Sequence, residues 1–201
     1  MPTTATLQRR DTLRTRLVSI AEATIRVHGL QSLKARDLAA SAGCSVGAIY
    51  NVFGDLSDLV LVVNSRTFSK MGEEVAKVVV SHAGNPTDEL VGLSVGYLSF
   101  ARDNTNQWRA LFEAESRNTE DVPDWYKDQL EGLFGEIGSR VKLLHPNMSD
   151  PDVKLMSRTL FSTVHGMVTL GLEGRQSGVP LPELERMISA AVRALAQTTN
   201  F

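Results

Sequence analysis

The chain has 201 residues, 42% of them apolar and 22% charged, with 7 prolines and 15 glycines. It is long enough to bury a sizeable core and is neither collagenous nor low-complexity. The longest unbroken apolar stretch, residues 59–63, is far short of a membrane span, and the lone Cys44 excludes an internal disulfide or a cysteine metal cluster. Residues 1–6 lack the basic-then-apolar build of a signal peptide, so a soluble, cytoplasmic protein is expected. The net charge of −2 conceals an asymmetry. Residues 1–50 carry seven Lys/Arg against three Asp/Glu, and the remainder carries fourteen against twenty. Such a split suggests a basic module that meets a polyanion, joined to an acidic body.

In chain order, Leu13, Leu17, Ile20, Ala21, Ile25 and His28 recur at helical spacing and predict an amphipathic helix over 9–28, with Gly29 just past its end. A shorter helix covers 34–42 and stops at Gly43. A third runs over 46–52 with Ser45 as its N-cap. Asp55 then caps a long helix through Leu59, Val63, Phe68, Met71 and Val75. After a loop at 84–87, helices are predicted over 88–103, 108–117 and 124–144. Ser149-Asp150-Pro151-Asp152 combines an N-cap, an early proline and an acid in the first turn, and opens a helix to about residue 175. Pro182 opens the last one, ending near 197. No segment alternates as a strand does, so the expected fold class is all-α.

Residues 33–52 have the spacing of a helix-turn-helix. Ala39 is small where two helices approach, Gly43 makes the sharp turn, and Ile49 and Val52 point back to Leu38 and Cys44. The stretch from Leu38 to Asp55, LAASAGCSVGAIYNVFGD, resembles the DNA-binding signature of TetR-type transcriptional regulators. The helix ending at His28-Gly29 and the Asp58-Leu59 pair match as well. Thr163-Val164-His165-Gly166 and Leu170-Gly171-Leu172-Glu173 resemble one branch of that family's carboxy-terminal domains. The resemblance implies a DNA-binding domain over 1–56 and a ligand-binding and dimerisation domain over 57–201. It further implies a homodimer on a double-stranded operator, most often a repressor released by a small ligand.

The expected DNA-binding residues are Arg36, Ser45, Val46, Gly47, Ala48, Tyr50 and Asn51. Val46, Gly47 and Ala48 permit close approach and contact with thymine methyls rather than bidentate hydrogen bonding. Tyr50 offers a hydroxyl to phosphate and a ring to thymine. Asn51 suits adenine or a phosphate. Arg9, Arg10 and Arg14 are candidates for the backbone or a minor groove. Two positions depart from the family's habit: Val52 and Leu56 stand where a polar residue and a lysine commonly approach phosphates, and neither can supply that contact.

In the body, Phe68, Met71, Tyr97, Phe100, Trp108, Phe112, Trp125, Tyr126, Phe161 and His165 are candidates to line a site for a small, mostly apolar ligand. Residues of these types at helical spacing also build ordinary cores. A small-residue stripe (Thr159, Ser162, Gly166, Thr169) and an apolar one (Leu184, Met187, Ile188, Ala191, Leu195) predict a four-helix dimer contact. The four histidines are scattered, and no phosphate-cradling loop or activated nucleophile is present, so neither catalysis, a metal nor a cofactor is expected. The alternative is a DNA-binding or structural dimer whose body binds no ligand and only docks a partner.

Overall fold

A computed structural model describes residues 4–82, 84–115 and 122–198. Nine α-helices and no strand occur among these residues. They are α1 (Thr4–His28), α2 (Ala35–Ala42), α3 (Val46–Phe53), α4 (Leu56–Ser81), α5 (Pro86–Asp103), α6 (Thr105–Glu115), α7 (Asp124–Leu144), α8 (Asp150–Leu172) and α9 (Leu181–Ala196). A 3-10 turn over Leu30–Ser32, which the periodicity did not indicate, follows α1. The predicted starts hold where a cap is present. Ser45 Oγ accepts from the Ala48 amide at 3.2 Å, Asp55 Oδ1 from Asp58 at 2.8 Å, and Ser149 Oγ from Asp152 at 3.3 Å.

Several bounds differ from expectation: α5 begins at Pro86, within the expected loop, and α6 at Thr105 rather than 108. Helix α1 covers Thr4 onward rather than starting at residue 9, because residues 4–8 contain no glycine or proline. Helix α8 ends at Leu172 rather than near 175. Gly174 has φ +62°, and the Arg175 amide turns back to Leu170 O at 3.3 Å, closing the helix. The far end of the helix expected over 108–117 lies outside the described residues.

The chain forms two compact units. The first comprises residues 1–69 and 104–126, the second residues 70–103 and 127–201. In the first, Leu17, Ala21 and Ile25 of α1, Leu38 and Ala42 of α2, Ile49 and Phe53 of α3, and Leu59 and Val63 of α4 make one core, joined by Ala110 of α6. Each fully buried Leu or Ile there contributes about 1.5–3 kcal/mol. Between α2 and α3, Gly43 takes the left-handed conformation (φ 63°, ψ 39°), while the Cys44 amide reaches back to Ala39 O at 3.0 Å. This Schellman-type ending turns the chain sharply into α3.

In the second unit α5, α8 and α9 pack on one another. Leu90, Leu98, Met156, Leu160, Val168, Leu184, Ile188 and Val192 are buried there. Ion pairs stitch its surface: Arg193 to Asp88 at 2.6 Å, Arg140 to Glu89 at 3.0 Å, and Arg140 also to Glu136. Arg193's hydrogen bond holds the Asp88 carboxyl below its ordinary value. No single helix among the described residues is long and apolar enough to cross a membrane.

Candidate functional site

Helix α3 buries one stripe and offers the other. Ile49 and Phe53, four apart, enter the core, which leaves Gly47, Tyr50, Asn51 and Gly54 exposed at the complementary spacing. Val46 and Ala48 are half-buried, and Ser45 is exposed with its hydroxyl committed to the cap. On α2, Arg36 is exposed. All seven expected DNA-binding residues therefore lie in the first unit, with Arg36, Gly47, Tyr50 and Asn51 facing outward. Val52 and Leu56 are half-buried and pack on the core, which accounts for their apolar character.

The unit that holds this face carries a run of exposed cations on α1 and at the start of α2. Arg9, Arg10, Arg14, Arg16, Arg26, Lys34 and Arg36 are all exposed, and none forms an ion pair with a carboxylate among the described residues. In the second unit Arg140, Arg175, Arg186 and Arg193 are each held by at least one carboxylate, whereas Lys77, Lys154 and Arg158 are exposed without one among the described residues. Unneutralised cations in the unit that carries an outward-facing, uncharged second helix of a helix-turn-helix, with Arg14 against that helix, are suited to a phosphate backbone. Sequence reasoning missed one arrangement here: the Arg14 guanidinium lies over the Phe53 ring, 5.2 Å from its centroid.

The ten candidate ligand residues divide evenly. Phe68, Trp108, Phe112, Trp125 and Tyr126 belong to the first unit. There Phe68 meets Tyr126 edge-on at 5.7 Å, Trp125 meets Tyr126 at 5.6 Å, and Trp108 meets Phe112 at 5.6 Å. Trp125 is 46% exposed, whereas Phe68, Trp108 and Tyr126 are buried. On the same helices, α4 and α6, are two buried polar residues that the sequence did not single out. Asn64 Nδ2 donates to Ala110 O at 3.2 Å, while Asn64 Oδ1 and Gln107 Oε1 are buried without a hydrogen-bond donor.

Met71, Tyr97, Phe100, Phe161 and His165 belong to the second unit. Met71 and Phe100 are buried. The Tyr97 hydroxyl lies 2.7 Å from His165 Nδ1, and Thr169 Oγ1 lies 3.4 Å from Nε2. Phe161 stacks on the imidazole at 5.4 Å and meets Phe134 edge-on. Burial pushes the His165 pKa below its ordinary value. A neutral imidazole donates through one of these nitrogens and accepts through the other, and either hydroxyl can take the matching role. An open groove of about 570 Å³ along α1, lined by Arg16, Ile20, Val27 and Ser41 among others, contains none of these residues.

An all-helical chain with an amino-terminal helix-turn-helix is the class that fold and site define. The family described as the tetracyclin repressor-like C-terminal domain matches residues 90–195. The chain belongs to the TetR family of transcriptional regulators.

Solved structures share its fold. A protein of unknown function from Rhodococcus sp. RHA1 superposes with a TM-score of 0.73 at 22% identity, covering 92% of this chain and 96% of that one. A TetR transcriptional regulator from the same source gives 0.67 at 19% identity, covering 96% and 99%. RolR in complex with its ligand resorcinol gives 0.66 at 17% identity, covering 96% and 97%. No curated protein matches the sequence.

Proposed function

We propose that this chain is a homodimeric, operator-binding repressor that reads DNA with α3 and is released by a small, mostly apolar ligand. Residues 1–56 supply the DNA contacts, and residues 57–201 supply the ligand site and dimer contact. The observation that carries the reading is the outward face of Gly47, Tyr50 and Asn51 in the same unit as exposed cations without a carboxylate partner among the described residues, Arg14, Lys34 and Arg36 among them. Small residues let α3 seat deeply in a major groove, Tyr50 and Asn51 supply the polar and ring contacts, and the cations hold the duplex through its phosphates.

Two further observations support the finer parts. Along α8, Leu155, Thr159, Ser162, Gly166 and Thr169 follow a four-three spacing on a partly or fully exposed stripe, and a Cβ at Gly166 meets nothing within 4 Å. Such a stripe admits a second helix closely. In the first unit, the bare acceptors Asn64 Oδ1 and Gln107 Oε1 lie on the helices that carry Phe68, Trp108 and Phe112. A ligand with an apolar ring and a hydrogen-bond donor matches that chemistry, and the resorcinol bound by RolR is a ligand of this kind. Release requires that the ligand prefer the non-binding state; a hundredfold preference corresponds to about 2.7 kcal/mol.

The test is selection of duplexes from a random-sequence pool by the full chain, followed by titration of the enriched duplex with wild type and Tyr50→Ala. The substitution is expected to weaken specific binding by about 1–3 kcal/mol. A chain that enriches no duplex overturns the reading. Compounds that raise the melting temperature are then tested for DNA release. Binders that never alter DNA affinity leave a DNA-binding dimer without ligand control.

A further inference from the structure

We propose that Arg14, held on the face of Phe53, is the cation that fixes the carboxy-terminal end of the α3 recognition helix to a DNA phosphate. The inference rests on the DNA-binding reading and names a contact within it. From residue 38 to residue 65 the chain contains no lysine or arginine, and its charged residues there are Asp55 and Asp58. Helix α3 itself is uncharged from Val46 to Phe53. Val52 and Leu56, at its exit, are half-buried against the core. The end of the recognition helix therefore offers phosphate only the neutral Tyr50 and Asn51, has no cation of its own, and is followed by two carboxylates.

Arg14 of α1 fills that place from another helix. Its guanidinium lies 5.2 Å from the centroid of Phe53, the last residue of α3. Phe53 is buried in the core, so the ring is a fixed platform. Arg14 is exposed and pairs with no carboxylate, Asp55 and Asp58 included. A guanidinium drawn to a ring by its quadrupole, with no carboxylate to occupy its N–H groups, can still turn them to a phosphate. The ring contact also restricts the side chain before binding, so less of its freedom is lost when a phosphate is met. Arg9 and Arg10, one turn earlier on α1, have no ring contact of this kind and remain general contributors of charge.

The experiment uses the full chain and two duplexes, one enriched by selection and one unrelated, titrated between about 50 and 200 mM salt. Arg14→Gln is expected to weaken binding to both duplexes roughly tenfold and to lower the slope of log affinity against log salt by about one. Arg26→Gln removes the same charge from the far end of α1 and is expected to leave the slope unchanged. Arg14→Lys keeps the charge and is expected to retain the slope while recovering part of the affinity. Circular dichroism and melting temperature confirm that each variant folds, which the exposure of Arg14 favours.

Wild-type slope and affinity in Arg14→Gln overturn the proposal while the DNA reading stands. An equal loss in Arg26→Gln also overturns it, since net charge then explains the effect. Wild type that enriches no duplex overturns the DNA reading and this contact together.

Discussion

The side-chain amide of Asn106 donates to the main-chain carbonyl of Arg26 at 3.1 Å, and to that of Val27 at 3.2 Å. The last carbonyls of a helix have no partner within it, so α6 completes the end of α1 inside the unit that holds the helix-turn-helix. Gln31 reaches Glu113 of the same helix at 3.3 Å. Asn106→Ala is expected to lower the stability of the full chain by about 1 kcal/mol, measured by urea denaturation. An unchanged midpoint and slope would mean that water replaces the amide at no cost.

Glycine spacing on α5 sets how closely that helix approaches the later turns of α4. A Cβ at Gly96 would lie 3.0 Å from Val75 Cα, and one at Gly92 would lie 3.0 Å from His82 Cβ and 3.2 Å from Val79 Cα. Gly96→Ala meets backbone, which cannot rotate away. A loss of about 1–3 kcal/mol is expected in spite of alanine's better helix propensity. Gly132→Ala on α7 meets nothing within 4 Å and is expected to gain up to about 1 kcal/mol. Thermal melts of the pair check the contrast; equal shifts would dismiss the close approach as the cause.

The imidazole of His165 has its pKa lowered by burial. The unfolded chain therefore takes up a proton more readily than the folded one as pH falls. Its contribution to stability is complete above the ordinary value of 6.5 and is lost as pH drops below it. Melting temperatures from pH 8 to pH 5 are expected to decline more for wild type than for His165→Gln. Parallel curves would show that His165 titrates alike in both states.

The apolar stripe predicted on α9 divides in the structure. Leu184 and Ile188 are fully buried within their own unit, whereas Met187, Ala191 and Leu195 are half-exposed. Only the second set is available to another copy of the chain. Met187→Glu with Ala191→Glu is expected to give folded monomers in sedimentation and to abolish operator binding, because two half-sites act together. Leu184→Glu, by contrast, is expected to destabilise the chain itself. A folded double variant that remains dimeric would move the interface elsewhere.

Sequence by itself determined the helices, the turn at Gly43, the caps at Ser45, Asp55 and Ser149, and the face of α3 that carries Tyr50 and Asn51. Each of these is settled within about four residues, by a side chain reaching a nearby amide or by apolar residues recurring once per turn. Only the tertiary structure decided what lies across from them. It set α6 beside α1 through Asn106, some eighty positions from its carbonyl partners. It put Arg14 on Phe53 and packed Val52 and Leu56 inward. It also turned Leu184 into the protomer while leaving Met187 at the surface. Periodicity states that a helix has an apolar stripe wider than one neighbour can cover. Which residues of that stripe are buried follows from the neighbour's position, and that depends on contacts between distant parts of the chain.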